Sequence, residues 1–155
     1  IGEGISVNVT LLFSVDAYEA CAEAYIAGLE KYVQTGRNPG KVASVASFFI
    51  SRIDSEVDAR LDRLAKQPGA DADAIASLRG KVAVANAKLV YADIYEPMIA
   101  SARWQALAAK GARPQRMLWA STGTKNKDYS DVLYVEELIG PNTVNTDDLG
   151  FARPA

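Results

Sequence analysis

Residues 5–13 read ISVNVTLLF, and this stretch decides the fold. It is rich in β-branched residues and apolar beyond strict alternation, which is typical of a buried parallel strand. Directly after it, apolar residues recur at three-to-four spacing from Asp16 to about Thr35, a pattern that predicts a helix with Ser14 as its N-cap. Together the two segments predict one βα unit.

The same pattern recurs along the chain. Residues 42–50 (VASVASFFI) read as a second buried strand, residues 116–121 (RMLWAS) as a short third strand, and residues 142–146 (NTVNT) as a weak fourth strand. A short helix or turn is predicted over residues 131–138. Strands that alternate with helices, without a hairpin signal between them, predict an α/β fold with a parallel sheet and helices covering one face.

Two helical regions lie between the second and third strands. The run Ser55-Glu56-Val57-Asp58 has the form of a capping box and predicts a helix that begins there. Residues 71–110 form the longest helical region, with a break or kink before Pro97. Its predicted buried stripe consists of Ile75, Leu78, Val82, Ala85 and Leu89.

Composition excludes several classes of function. The chain has 155 residues, a net charge of −2 and no histidine, so imidazole bases, Ser-His-Asp triads and most zinc sites are excluded. Its basic residues are scattered and its apolar runs are short, which predicts a cytoplasmic protein without nucleic-acid or membrane partners.

Cys21, the single cysteine, falls in a helical pattern and is expected to be a buried inert thiol. We predict no metal and no cofactor; carboxylates, hydroxyls and lysines remain for Schiff-base chemistry or phosphate recognition.

Polar residues interrupt the first strand. Asn8 and Thr10 share one of its faces because side chains alternate with period two. A buried amide and hydroxyl are costly unless they are hydrogen-bonded, which favours a polar pocket on that face. Alternatively, Thr10 packs as an ordinary strand former and Asn8 bonds a neighbouring loop. Spacing alone leaves both interpretations open.

The second strand has a similar design. Ser47 and Phe49 share a face, and Arg52 follows just beyond the strand end, where the loops of barrel proteins meet ligands. A guanidinium offers a planar set of donors that suits phosphate. The alternative is a surface ion pair between Arg52 and Asp54 or Glu56.

The third strand runs into the polar segment STGTKN at residues 121–126. Its hydroxyls, backbone N–H groups and the Lys125 ammonium could surround phosphate oxygens. The alternative is a polar loop that needs Gly123 for a turn.

Five segments resemble the transaldolase family and follow one another in the order of its strands. Residues 4–14, GISVNVTLLFS, are similar to its strand-five motif, in which a glycine precedes Asn-(Leu/Val)-Thr-Leu-Leu-Phe-Ser. Residues 45–52 resemble strand six, while residues 118–126, 134–138 and 143–146 resemble strands seven and eight of the bacterial long form. The resemblance implies that residues 1–146 form the C-terminal half of a (β/α)8 barrel, from strand five onward. Residues 147–155 (DDLGFARPA) stand where the family has a helix and are expected to be a frayed or truncated tail.

The resemblance also implies an activity. Transaldolases transfer a dihydroxyacetone unit from a ketose phosphate, such as sedoheptulose 7-phosphate or fructose 6-phosphate, to an aldose phosphate through a lysine Schiff base in the pentose phosphate pathway. The roles it implies are substrate binding for Asn8, Ser47 and Phe49, positioning of a catalytic water for Thr10, and phosphate binding for Arg52, Ser121 and Lys125. The family often has arginine near the last of these positions.

The family's Schiff-base lysine lies on strand four, ahead of the segments matched here. The resemblance therefore implies that the chain alone is inactive and that its partners are sugar phosphates, the missing N-terminal half or, through unpaired strand edges, a second copy of itself. An alternative is a noncatalytic half-barrel that binds sugar phosphates or serves in assembly.

Overall fold

The sheet has four parallel strands in sequential order. The computed structural model describes residues 1–146, so the predicted tail at residues 147–155 lies outside the described residues. Each strand pairs in parallel with the next along the chain. The strands are β1 (Val7–Leu12), β2 (Ser44–Phe49), β3 (Arg116–Ala120) and β4 (Thr143–Asn145). The predicted α/β half-barrel is therefore confirmed, with strand positions close to those predicted.

Helices connect successive strands. As predicted, Ser14 caps the first of them, with its Oγ accepting a hydrogen bond from the N–H of Ala17 at 3.3 Å. None of the helices within residues 1–146 has both the length and the apolar composition needed to cross a membrane. In chain order the helices are α1 (Val15–Gln34), α2 (Ser51–Leu64), α3 (Ala72–Ala76), α4 (Val82–Leu89), α5 (Glu96–Ala100), α6 (Ala102–Ala108) and α7 (Leu133–Leu138).

The main core lies between one face of the sheet and the helices. Phe48 and Trp119, on adjacent strands, are buried there and meet edge to face at 6.3 Å between ring centroids. Side chains alternate across a strand, so Ser47 and Phe49 point to the opposite face. That face is open and carries the candidate site described below.

β1 is an edge strand, which corrects the prediction of a buried one. Within the described residues it pairs only with β2, and Val7 and Leu11 are 38% and 57% exposed. The pairing shifts register between Val9 and Leu12, and Leu11 has a left-handed φ of 63°. This is a β-bulge, a feature common at sheet edges and beside functional sites.

The capping box predicted at Ser55 is wrong. Helix α2 begins at Ser51, and Ser55 lies inside it with its hydroxyl donating to the Ser51 carbonyl at 2.9 Å. The early start has a main-chain cause, because the Ser51 N–H donates to the Ser121 carbonyl and so continues the sheet's hydrogen bonding into the helix. The buried face of α2 is polar, with Ser51, Asp54 and Asp58 all buried.

The apolar stripe predicted over residues 71–110 is also wrong in part. Leu78 and Leu89 are 49% and 52% exposed, whereas the buried positions of α4 are Ala83, Val84 and Ala87. A π-helical segment, Val90–Tyr95, joins α4 to α5 just before Pro97. The wider turn accommodates a residue that has no N–H to donate, so the chain stays helical through the position where a break or kink was predicted.

Candidate functional site

A concavity of about 350 Å³ lies at the C-terminal ends of the strands, on the open face of the sheet. Its position is the one at which parallel α/β barrels bind ligands. Six of the seven site residues predicted from the sequence line it, namely Asn8, Thr10, Ser47, Phe49, Arg52 and Ser121. The other lining residues are Leu118, Ala120, Thr122 and Thr146.

Asn8 and Ser47 form a polar pair across β1 and β2. Ser47 is 3% exposed, and its hydroxyl donates to Asn8 Oδ1 at 2.7 Å. This bond satisfies the buried hydroxyl and orients the amide of Asn8, whose NH2 group can then donate to a ligand. Asn8 itself is exposed, which corrects the expectation of a buried amide, and its substrate-binding role stays a prediction.

The bulge in β1 sets the position of Thr10. Thr10 and Leu11 together lie between the paired residues Val9 and Leu12, whereas β2 has only Ser47 at that level. The extra residue bends the strand locally and re-aims its side chains. Thr10 is exposed and lines the concavity, so its hydroxyl is accessible to a ligand or a water molecule.

Arg52 stacks on an aromatic ring of the site. Its guanidinium carbon lies 4.8 Å from the centroid of the Phe49 ring, within the range of a cation–π contact. Among the described residues it makes no ion pair, because Glu56 pairs with Arg60 and Asp54 accepts hydrogen bonds from other groups. The guanidinium is therefore held in place while its N–H groups remain available to an anion.

Ser121 is held beside the start of α2. Its backbone is left-handed, with φ 57°, and its Oγ lies 2.8 Å from Ser51 Oγ. Ser51, which is 1% exposed, was missed from the sequence because the helix was predicted to begin later. Thr122 was missed as well; it donates to Asn145 Oδ1 at 2.6 Å and so ties the end of β3 to β4.

Lys125 lies apart from the other six residues. It lines a neighbouring cavity of about 250 Å³ together with Asp54, Asp58 and Tyr129. The structure thus places Lys125 on the loop that follows Ser121, on the side facing α2. Its phosphate-binding role stays a prediction.

The carboxylates beside Lys125 are buried and fully engaged. Asp54 is 2% exposed and accepts from the Ala83 N–H and the Tyr134 hydroxyl, both at 2.8 Å. Burial raises the pKa of Asp54, and these two hydrogen bonds oppose that effect. Polar residues are unusual on a buried helix face unless they have hydrogen-bond partners. The burial of Asp54 therefore could not be predicted from the sequence, which does not show its partners.

The thiol of Cys21 is outside the site. It is half-buried and lies 3.7 Å from Gln115 Oε1, and burial raises its pKa. The expected burial is thus only partial. A thiol that stays protonated is a poor nucleophile, and the inert role stays a prediction.

Together, the parallel sheet and the polar concavity at its strand ends define the chain as part of a (β/α)-barrel protein. The model of the Transaldolase/Fructose-6-phosphate aldolase family matches residues 1–150. The chain belongs to this family.

Relatives named transaldolase are similar over most of the chain. A transaldolase of Trichodesmium erythraeum is 58% identical over 148 residues, which cover 94% of this chain and 39% of the relative. A transaldolase of Thermobifida fusca is 56% identical over 146 residues, covering 94% of this chain and 38% of the relative. The chain thus spans less than two fifths of the length of these curated relatives.

Proposed function

We propose that the chain supplies the substrate- and phosphate-binding side of a transaldolase site. In this proposal the site transfers a dihydroxyacetone unit from a ketose phosphate to an aldose phosphate through a lysine Schiff base. Residues 1–146 take the place of strands five to eight of the bacterial long form, and the lysine belongs to another strand of the completed barrel. The family match and the transaldolase relatives support this assignment.

One observation carries the proposal. Residues from β1, β2, the start of α2 and the end of β3, far apart in sequence, line one concavity at the strand ends. These are the residues that the transaldolase resemblance assigns to substrate, catalytic water and phosphate, Lys125 excepted.

The chemistry divides between two parts of this concavity. Toward β1, Asn8 offers its amide NH2 to the hydroxyl groups of a dihydroxyacetone unit, Ser47 orients that amide and can accept through its hydroxyl oxygen, and Thr10 orients a proton-transferring water. Toward α2, Arg52 and Ser121 offer a guanidinium and a hydroxyl to the phosphate. The phosphate is thus bound at one end of the sugar and the reacting carbons at the other.

Without the strand-four lysine the covalent step has no nucleophile, so the chain by itself binds the substrate but does not turn it over. Its partners are sugar phosphates and either the remaining part of the barrel or a second copy of the chain. A cytoplasmic location, as expected from the composition, belongs to the same proposal.

The test is to titrate the chain with fructose 6-phosphate and, separately, with fructose, and to measure binding by NMR. We expect Arg52→Ala to weaken fructose 6-phosphate binding about ten- to a hundredfold, because a charge-assisted hydrogen bond to phosphate contributes about 1.5–3 kcal/mol. Fructose binding should change little. Borohydride added to the same samples should leave the mass of the protein unchanged.

Arg63→Ala is the matched control, because Arg63 lies in the last turn of the same helix, away from the concavity. Equal weakening of binding by both arginine substitutions would reject Arg52 as the phosphate ligand. A borohydride-stable adduct on any lysine of the chain would reject the missing-lysine part of the proposal.

A further inference from the structure

The loop that follows β3 is tied to α2 by two tyrosine–aspartate hydrogen bonds. The Tyr134 hydroxyl, in α7, donates to Asp54 Oδ2 at 2.8 Å, and the Tyr129 hydroxyl, in the loop itself, donates to Asp58 Oδ2 at 2.5 Å. Asp54 and Asp58 are 2% and 7% exposed, so both acceptors are buried; the bond from Tyr134 is buried as a whole, whereas the bond from Tyr129 is partly buried. The same helix carries Arg52 in its first turn.

Each carboxylate has a second, main-chain donor that fixes it from the other side. Asp54 Oδ1 accepts from the Ala83 N–H at 2.8 Å, and Asp58 Oδ1 accepts from the Gly80 N–H at 3.2 Å. Both donors lie at or just before the start of α4. The carboxylates are therefore held by α4 and can serve as rigid acceptors for the loop.

The first residues of the loop are tied in the same way at its other end. Ser121 Oγ bonds Ser51 Oγ at 2.8 Å, and the Ser51 N–H donates to the Ser121 carbonyl at 3.1 Å. Both ends of residues 121–134 are thus attached to α2. Since Ser121 has a left-handed backbone, its conformation depends on these surrounding contacts.

We propose that Asp54 and Asp58 are positioning residues. By accepting hydrogen bonds from Tyr134 and Tyr129, respectively, they keep the loop against α2. In that position Ser121 and Arg52 can bind the same phosphate. The inference rests on the proposed phosphate site and deepens it. Neither carboxylate touches the substrate; each acts through its tyrosine. Rigid support of this kind determines whether a binding group is within reach of its ligand.

The test uses Tyr129→Phe, which removes only the hydroxyl that bonds Asp58. We expect the affinity for fructose 6-phosphate to fall about three- to tenfold, a loss in the range of one hydrogen bond, while fructose binding is unchanged. In a Ser121→Ala background the same substitution should have little further effect, because residues that act through one another are not additive.

Tyr91→Phe is the matched control, since Tyr91 also loses one hydroxyl hydrogen bond, to the Pro141 carbonyl at 3.0 Å, outside this loop. Amide hydrogen exchange over residues 121–132 gives a ligand-independent readout, and it should be faster in Tyr129→Phe than in the control. Unchanged exchange, or an equal loss of affinity in the Ser121→Ala background, would overturn the inference while leaving the phosphate site intact. A wild-type chain that binds no fructose 6-phosphate would reject the phosphate site itself, and this inference with it.

Discussion

At the residue scale, Gly80 is a position where no other residue fits without strain. Its φ is +68°, and a Cβ built there would lie 2.9 Å from Cζ of Tyr129. Its N–H also donates to Asp58, which accepts the Tyr129 hydroxyl. Gly80 thus allows the backbone turn before α4 and leaves the space that the Tyr129 ring occupies.

We predict that Gly80→Ala lowers the free energy of unfolding more than Gly69→Ala does. Both positions have left-handed φ, so both variants should lose about 1–2 kcal/mol from backbone strain. Only Gly80→Ala also displaces Tyr129, since nothing lies within 4 Å of the Cβ position at Gly69. The added loss should be about 1 kcal/mol, the size of one hydrogen bond. Urea unfolding of the two variants measures this difference in the free energy of unfolding. Equal losses in both variants would argue against a contact between a Cβ at position 80 and the Tyr129 ring.

At the element scale, a three-residue ionic cluster joins α6 to α1. Arg103 donates to both carboxylate oxygens of Glu30 at 2.6 and 2.7 Å and to Glu23 at 2.6 Å. The hydrogen bonds from Arg103 lower the pKa of Glu30. Beneath the cluster, Leu29 and Trp104 are buried in a second apolar core.

The stabilisation by Arg103 should depend on pH. Because the folded-state pKa of Glu30 is lowered, the stabilisation is present above its unfolded pKa of about 4.3 and is lost as pH falls through the folded value. We predict that Arg103→Gln costs about 0.5–1 kcal/mol at pH 7, as for exposed ion pairs in a network, and progressively less as the pH falls below the unfolded pKa of Glu30. Arg63→Gln serves as the control, and chemical unfolding across this pH range is the measurement. A cost that did not shrink in acid would mean that Arg103 acts by packing alone.

Local sequence patterns located some helices correctly and others incorrectly. Ser14 and the three-to-four spacing after it located α1 correctly, because a cap and an amphipathic face are local properties. The helix start predicted at Ser55 is wrong because α2 begins at Ser51, whose N–H donates to the Ser121 carbonyl. That bond joins residues distant in sequence.

At the scale of the whole molecule, the sheet has two open edges within the described residues. β1 and β4 each pair on one side only, and the β1 edge presents large apolar side chains. Ile5, Leu11 and Phe13 are 61%, 57% and 38% exposed. An exposed apolar edge strand is a template for pairing with another chain.

We therefore predict that the chain studied alone self-associates through β1. Sedimentation velocity at increasing concentration should show species larger than a monomer, and Leu11→Lys should shift the distribution toward monomer, because a charge opposes edge pairing. Leu78→Lys is the control, since Leu78 is 49% exposed but lies away from the sheet. A chain that stays monomeric at all concentrations would contradict the prediction.

The sequence by itself determined the class of the fold and the face of the sheet on which the candidate site lies. Hydrophobic periodicity located the four strands, and the two-residue alternation put Ser47 and Phe49 on the side opposite the core residue Phe48. Both signals arise within a few residues of chain, so they can be read without knowing any neighbour.

Only the tertiary structure decided which surfaces are covered and which groups meet. The pattern of residues 5–13 is that of a buried strand, yet within the described residues β1 has a neighbour on one side only and most of its side chains are exposed. The spacing of apolar residues predicts that α2 buries an apolar face, but the helix buries Asp54 and Asp58. Both are stabilised by hydrogen-bond partners more than 20 residues away in sequence. Lys125 lines the cavity next to those carboxylates and not the concavity, a placement that spacing along the chain could not give. Periodicity records a residue's local geometry, whereas the free energy of burying a charge depends on donors that only the fold brings near.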